Sequence, residues 1–161
     1  MAQRSSTAGV ARLVASVTIA APRERVFAYL DDPALMKRWI AGLEEVTFDK
    51  PGVPRAVGTG FREKIRGMGR TLQYAGEVIA YRPPQEVGAR LANTRFSLDV
   101  THRLTSAGSG TRIEQIAALT FHGWPGRLTG GLAGWLLRRH LAQALARLKT
   151  VVEAGGASTA G

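Results

Sequence analysis

The last long stretch of the chain, residues 125–154, places the strongest constraint on the fold. Its apolar residues recur at alternating steps of four and three, which is typical of one face of an amphipathic helix. These residues are Leu137, Leu141, Ala144, Leu148 and Val151. Projected backwards at about 100° per residue, the same face passes through Gly126, Gly130, Ala133 and Gly134. We therefore predict one C-terminal helix that packs closely along its second half and leaves space beside its first half.

The segments before this helix predict a sheet that it would cover. Residues 10–19 alternate between apolar and polar side chains, as in a half-buried strand. Two short helices are predicted next, one after Pro22 and one, carrying Trp39, after Asp32-Pro33. Six more strands follow at hairpin spacing: Leu43–Asp49, Gly60–Arg66, Thr71–Tyr81, Glu86–Asn93, Phe96–Thr105 and Thr111–Phe121. The predicted fold class is α+β, a curved antiparallel seven-stranded sheet gripping the C-terminal helix, because only that helix is long enough to cover one face of the sheet.

Length and cysteine content limit the organisation of the chain. A chain of 161 residues is long enough for one domain with one core. We expect a loose tail over residues 1–9, a single ligand-binding domain over 10–154 and a flexible tail over 155–161. Without cysteine, disulfides and thiolate metal sites are excluded, and a cytoplasmic location is expected. No stretch approaches the ~20 apolar residues of a membrane-spanning helix.

The charge balance is strongly basic, with a formal net charge of +10 from 18 arginines, 4 lysines and 12 acidic residues. Such a balance permits attraction to nucleic acid, anionic lipid or acidic ligands. The arginines are scattered through every segment and few aromatic residues lie among them, so we expect no nucleic-acid partner. The three histidines, His102, His122 and His140, lack metal-ligand spacing, so we expect no metal and no cofactor.

Short motifs spread along the chain carry a family resemblance. In chain order they are Ile19-Ala20-Ala21-Pro22 with Val26-Phe27, Asp32-Pro33 followed by Trp39, Val57-Gly58-Thr59, Glu77-Val78, Pro83-Pro84, Gly110-Thr111-Arg112, and Leu148-Lys149 near Glu153. Together they resemble the START-like helix-grip superfamily (Bet v 1-like, SRPBCC), in particular its bacterial polyketide cyclase/dehydrase and lipid-transport branch, over residues 10–153. The resemblance implies an apolar cavity between the sheet and the C-terminal helix. It leaves function open, because members bind lipids, sterols, hormones or polyketides and only some are catalysts.

Strand alternation predicts which side chains line that cavity. On the predicted strand Phe96–Thr105, His102 is the one ionisable residue on an apolar face, and a two-residue turn places it opposite Gln115. On the strand Gly60–Arg66, Glu63 faces inward, and the same reasoning places it opposite Tyr74. The other residues expected to bind the ligand are Trp39, Phe61, Phe96, Leu98, Val100, Ala117, Leu119, Gly130 and Gly134.

The two polar pairs admit two interpretations. In a dry cavity the pKa of Glu63 would rise and that of His102 would fall, which suits acid/base catalysis of the polyketide cyclase or aromatase type, with Tyr74 and Gln115 positioning carbonyls or hydroxyls. Alternatively, each pair satisfies its own hydrogen bonds and the protein binds a hydrophobic or amphipathic small molecule, lipid-like or polyketide-like. We favour binding over catalysis.

A second apolar surface does not fit a simple grip helix. Three bulky residues fall opposite the inner face if the C-terminal helix is unbroken: Leu128, Leu132 and Trp135. Either Gly130-Gly131 breaks the helix, or these residues form an exposed patch beside Arg138 and Arg139. Such a patch suits a lid, a homodimer contact or a peripheral membrane contact. A membrane- or protein-docking module is therefore a third possibility.

Overall fold

The computed structural model describes residues 10–122 and 131–157. Its elements are β1 (Val10–Ile19), α1 (Arg23–Asp31), α2 (Pro33–Met36), β2 (Leu43–Phe48), β3 (Gly60–Gly67), β4 (Arg70–Arg82), β5 (Glu86–Ala92), β6 (Phe96–Ala107), β7 (Gly110–Phe121) and α3 (Leu132–Ala157). The strands form one antiparallel sheet in the order β1-β7-β6-β5-β4-β3-β2. The predicted fold class and the order of the elements are confirmed.

The hairpin between β6 and β7 has the predicted two-residue turn. Ala107 pairs with Gly110, and Gly108 in the turn has a φ of 61°, a left-handed conformation that glycine adopts without side-chain strain. The register that follows places His102 directly opposite Gln115. This pairing was predicted from the sequence and is confirmed.

The hairpin between β3 and β4 is built in the same way. Gly67 pairs with Arg70 across a two-residue turn, in which Gly69 has a φ of 78°. The register then brings Glu63 opposite Tyr74, as predicted. The two polar pairs therefore lie on the strands and in the register that the turn residues indicate.

The second short helix is shorter than predicted. α2 ends at Met36, and Trp39 lies in the turns that follow rather than inside the helix. The helix begins as expected, because the Asp32 carboxylate accepts a hydrogen bond of 2.8 Å from the Ala34 N–H. Trp39 is nevertheless buried, at 5% exposure, because tertiary contacts hold it.

The C-terminal helix departs from the prediction at its end and in its phase. α3 continues to Ala157, three residues beyond the predicted end, while residues 125–130 lie outside the described residues. Its most buried residues are Leu141, Leu145, Leu148 and Val152, whereas Ala144 and Val151 are only partly buried. The buried face thus keeps Leu141 and Leu148 but is rotated from Ala144 and Val151 towards Leu145 and Val152. The reason is that α3 packs against β1 and α1, and that contact selects the centre of a broad apolar stripe.

The second half of α3 is anchored to the end of β1. The Lys149 ammonium donates to the Thr18 carbonyl at 2.7 Å, and the Glu153 carboxylate accepts from the Ala20 N–H at 2.8 Å. Next to these bonds lies the tightest part of the core, whose fully buried apolar members are Ile19, Val26, Leu104, Ile113, Leu148 and Val152. The core therefore occupies one end of the sheet.

Candidate ligand-binding site on the inner face of the sheet

The inner face of β6 and β7 carries an apolar strip that water still reaches. Along β6 it consists of Phe96, Leu98 and Val100, all partly exposed. On β7, Leu119 is also partly exposed and lies opposite Leu98, while the small, buried Ala117 lies opposite Val100. An apolar surface of this kind, flanked by a few polar groups, is typical of a site for an apolar ligand.

One polar pair lies at the end of the strip nearest the core. His102 is 9% exposed and Gln115 is 3% exposed. The imidazole packs edge-to-face against the Trp39 ring, with a centroid separation of 6.1 Å and an interplanar angle of 89°. Burial in these surroundings lowers the pKa of His102 to about 4. The imidazole is therefore neutral near pH 7.

The two members of this pair do not bond to each other. His102 Nε2 and Gln115 Oε1 are both buried, and neither has a hydrogen-bond partner within the described part of the chain. The interpretation that the pair satisfies itself is therefore wrong. Each buried polar atom left in this state costs about 1 to 3 kcal/mol. The pair retains bonding capacity that another polar group could use.

The second polar pair lies at the opposite end of the strip. Glu63 is 6% exposed, and its strand neighbours are Tyr74 on one side and Val46 on the other. Burial raises the pKa of Glu63 to about 7. Within residues 10–122 and 131–157 no hydrogen bond joins its carboxylate to the Tyr74 hydroxyl. The Tyr74 ring instead packs beside the Phe96 ring, with the two ring centroids 6.3 Å apart. The carboxyl group of Glu63 therefore titrates near neutral pH.

The two polar pairs lie on the same face of the sheet but too far apart to form one reaction centre. Phe96 contacts Tyr74, whereas His102 lies six residues further along β6. At about 3.3 Å per residue, this offset separates the two pairs by roughly 20 Å along the sheet. The register places Glu63 and His102 on the same face of the sheet, as predicted, but this offset is too large for them to act together on one small reacting group.

A small cavity of about 50 Å³ lies between the short helices and β2 to β5. Phe61, one of the predicted ligand-binding residues, lines it together with Phe48 and Tyr81. At its rim the Arg55 guanidinium bonds to both the side-chain carboxylate and the main-chain carbonyl of Asp31. The same guanidinium lies 4.3 Å from the centre of the Phe48 ring.

Sequence reasoning missed this charged rim. Tyr81 also donates to the Asp31 carboxylate, at 3.3 Å, so a helix end, a loop residue and a strand residue meet there. Arg55 lies 24 positions from Asp31, in a loop rich in proline and glycine. No local pattern predicts that pairing, because it depends on where the loop returns to the helix end.

The first half of α3 has open space beside Gly134, as predicted. A Cβ atom built on Gly134 would meet nothing within 4 Å, whereas Gly130 lies outside the described residues. On the helix surface Leu132, Trp135 and Leu136 are 72%, 53% and 50% exposed. The predicted patch is therefore exposed at Leu132 and Trp135, while Leu128 lies outside the described residues.

The patch has a basic border, in which the Arg139 guanidinium lies 5.6 Å from the centre of the Trp135 ring. Among the described residues, no helix has both the length and the apolar content needed to cross a membrane.

A curved seven-stranded antiparallel sheet, two short helices after the first strand and a long C-terminal helix define a helix-grip domain. The family described as polyketide cyclase / dehydrase and lipid transport matches residues 10–153. The chain belongs to this family, and the resemblance drawn from its motifs is confirmed. A comparison with curated protein sequences gives no match.

Solved structures share the fold at low sequence identity. A protein from Thermus thermophilus is 21% identical with a TM-score of 0.65, covering 89% of this chain and 98% of its own. Ara h 8.0201 is 14% identical with a TM-score of 0.70, covering 91% and 99%. The di-domain ARO/CYC StfQ from the steffimycin biosynthetic pathway is also 14% identical with a TM-score of 0.70, covering 92% and 52%. Likeness at this level of identity shows the fold alone.

Proposed function

We propose that this protein binds a hydrophobic or amphipathic small molecule, lipid-like or polyketide-like, between the inner face of the sheet and α3. The observation that carries the proposal is the partly exposed apolar strip around Leu98 and Val100. Covering about 200 Å² of apolar surface with a ligand would contribute roughly 5 kcal/mol before the costs of binding are subtracted. The family description, which includes lipid transport, supports the same class of ligand.

Native mass spectrometry of the purified protein, followed by denaturing extraction, tests this proposal. We expect the purified protein to retain an apolar compound. If it retains none, or once that compound has been removed, we expect saturable binding of the neutral dye Nile red. Leu98→Asn should weaken dye binding, because it places an amide on the apolar strip. Val14→Asn is the matched control, since Val14 is 58% exposed. Finding neither a retained compound nor saturable dye binding would overturn the proposal.

A second candidate function is general-base catalysis by Glu63, of the kind used by cyclases and aromatases. The specific observation is a buried carboxyl group whose pKa is raised to about 7, so that it can accept a proton at neutral pH. Tyr74, opposite in register, could donate a hydrogen bond to the oxygen of an enolising ketone. His102 lies too far along the sheet to take part in the same step.

Deuterium exchange into 2-tetralone tests this candidate. Glu63 would take a proton from the carbon beside the carbonyl, leaving an enolate that regains a deuteron from D₂O. We expect exchange above the buffer rate, with a pH midpoint near 7, and loss of that excess in Glu63→Gln. An equal rate in the wild type and the variant would exclude Glu63 as the base.

The exposed patch formed by Leu132, Trp135 and Leu136 supports a further proposal, a contact surface. We favour a lid or a homodimer contact over a membrane contact. If the patch is a homodimer contact, sedimentation velocity at low and high protein concentration should show self-association that Trp135→Ser weakens. A monomer at every concentration, together with flotation on anionic phosphatidylglycerol vesicles that Trp135→Ser abolishes, would favour the membrane instead.

A further inference from the structure

Two buried atoms without partners among the described residues belong to side chains that face each other in register at the core end of the apolar strip. They are His102 Nε2 and Gln115 Oε1, on adjacent antiparallel strands. Because the two residues are directly opposite in register, their Cβ atoms lie about 4.5 to 5.5 Å apart. One small polar group can therefore contact both side chains.

The surroundings of the pair leave one direction from which such a group can come. Trp39 covers the imidazole, and its own N–H is already bonded to the Tyr29 carbonyl at 2.8 Å. Leu104, the next inward residue on β6 towards the core, is 2% exposed. In the other direction lies Val100, which is partly exposed and begins the strip. The pair is therefore the inner end of the proposed ligand site.

The chemistry of the pair selects among polar groups. Gln115 Oε1 can only accept a hydrogen bond, whereas Nε2 of a neutral imidazole donates or accepts according to its tautomer. A hydroxyl group donates one hydrogen bond and accepts others, so it matches the pair when Nε2 carries the proton. A carboxylate can only accept, so it would leave Oε1 unpaired and meet its partial negative charge.

Within the residues that the structure describes, no cation contacts the pair to balance a carboxylate. Burial lowers the pKa of His102 to about 4, so the imidazole carries no charge at neutral pH. The arginine that lines the nearby small cavity, Arg55, is already bonded to Asp31. An anionic ligand head would therefore lose its hydration at the pair without a compensating charge.

We propose that His102 and Gln115 form a binding site for a hydroxyl group of the ligand. The preferred ligands are then neutral apolar alcohols or phenols rather than carboxylates. This inference rests on the proposed function, because the hydroxyl reaches the pair only when the apolar body of its molecule occupies the strip.

Three probes with one ring system test the inference: naphthalene, 2-naphthol and 2-naphthoic acid. We expect titration calorimetry at neutral pH to show 2-naphthol binding about 3 to 10 times more tightly than naphthalene, the gain from satisfying buried hydrogen-bonding atoms. The 2-naphthoate anion should bind more weakly than either. Gln115→Met and His102→Phe should each lower the ratio of the 2-naphthol affinity to the naphthalene affinity, measured within the same variant, towards 1. Gln73→Met, at an exposed position on β4, is the matched control and should leave all three affinities as in the wild type.

Each outcome decides the matter. If naphthalene and 2-naphthol bind equally to the wild type, the hydroxyl site is overturned while binding of apolar molecules stands. If the advantage of 2-naphthol survives in both variants, the hydroxyl binds elsewhere and the inference is wrong. If none of the three probes binds, this inference and the proposed function both fail. The wild-type measurements decide the first and third outcomes even if one variant does not fold.

Discussion

The two halves of α3 lie in opposite surroundings although they belong to one continuous helix. In the second half Leu148 and Val152 are fully buried against β1 and α1. In the first half Leu132 and Trp135 are more than half exposed. Apolar side chains therefore have different roles in the two halves. Those of the second half stabilise the fold, whereas those of the first half leave apolar surface exposed.

Buried polar groups differ between the two ends in the same way. Next to the core, the Thr111 hydroxyl donates to the Ala21 carbonyl at 2.8 Å. Along the inner strip the side chains of Glu63, His102 and Gln115 are also buried, but they form no hydrogen bond within the described residues. Unpaired buried side chains of this kind cost stability, and along the inner strip they lie where a ligand could use them.

The largest expected effect is on stability at the core end. Leu148→Ala should lower the free energy of unfolding by about 2 to 5 kcal/mol, because it opens a cavity at a fully buried position. Leu132→Ala is the matched control on the exposed half and should change it by less than about 0.5 kcal/mol. Urea unfolding measures both. Similar losses in the two variants would show that the first half of α3 is packed as tightly as the second.

The second largest expected effect is the pH dependence that Glu63 gives to the free energy of unfolding. Its pKa rises from 4.5 to about 7 on folding, so between these values the folded protein binds more protons than the unfolded chain. Stability should therefore fall as pH rises through this window, by about 2 to 3 kcal/mol.

Glu63→Gln removes this pH-dependent loss, which urea unfolding at the two ends of the window can measure. Glu24→Gln, at an exposed position on α1, should follow the wild type. The contribution of His102 has the opposite sign, since its depressed pKa adds stability as pH rises from about 4 to 6.5, and it cancels in the comparison. A wild-type profile that matches Glu63→Gln would mean that the carboxyl group is solvated.

The smallest effect concerns the rim of the small cavity. Arg55→Met should cost about 1 kcal/mol of unfolding free energy, because it removes a partly exposed ion pair and contact with Phe48 while Tyr81 still bonds to Asp31. Lys64→Met, which breaks an exposed pair with Glu45, should cost less than about 0.5 kcal/mol. Equal values for the two variants would show that the rim adds nothing beyond a surface ion pair.

Local sequence was sufficient for the order of the elements along the chain and for the register of two hairpins. Glycine at the hairpin turns sets a two-residue loop, and from there strict alternation determines that His102 faces Gln115 and Glu63 faces Tyr74. The length of α2 was wrong, because Trp39 is buried by tertiary contacts rather than by a helical turn. The interpretation in which His102 and Gln115 bond to each other was also wrong, because register brings strands together but does not orient side chains.

The sequence by itself determined the helix-grip architecture, the inward-facing residues and the bare first half of α3, since each follows from periodicity or turn chemistry within a few residues. The tertiary structure alone decided the separation between Glu63 and His102, the pairing of Arg55 with Asp31 and the centre of the buried face of α3. These features depend on where distant segments meet. Local patterns cannot carry that information, because it is set by the packing of the whole domain.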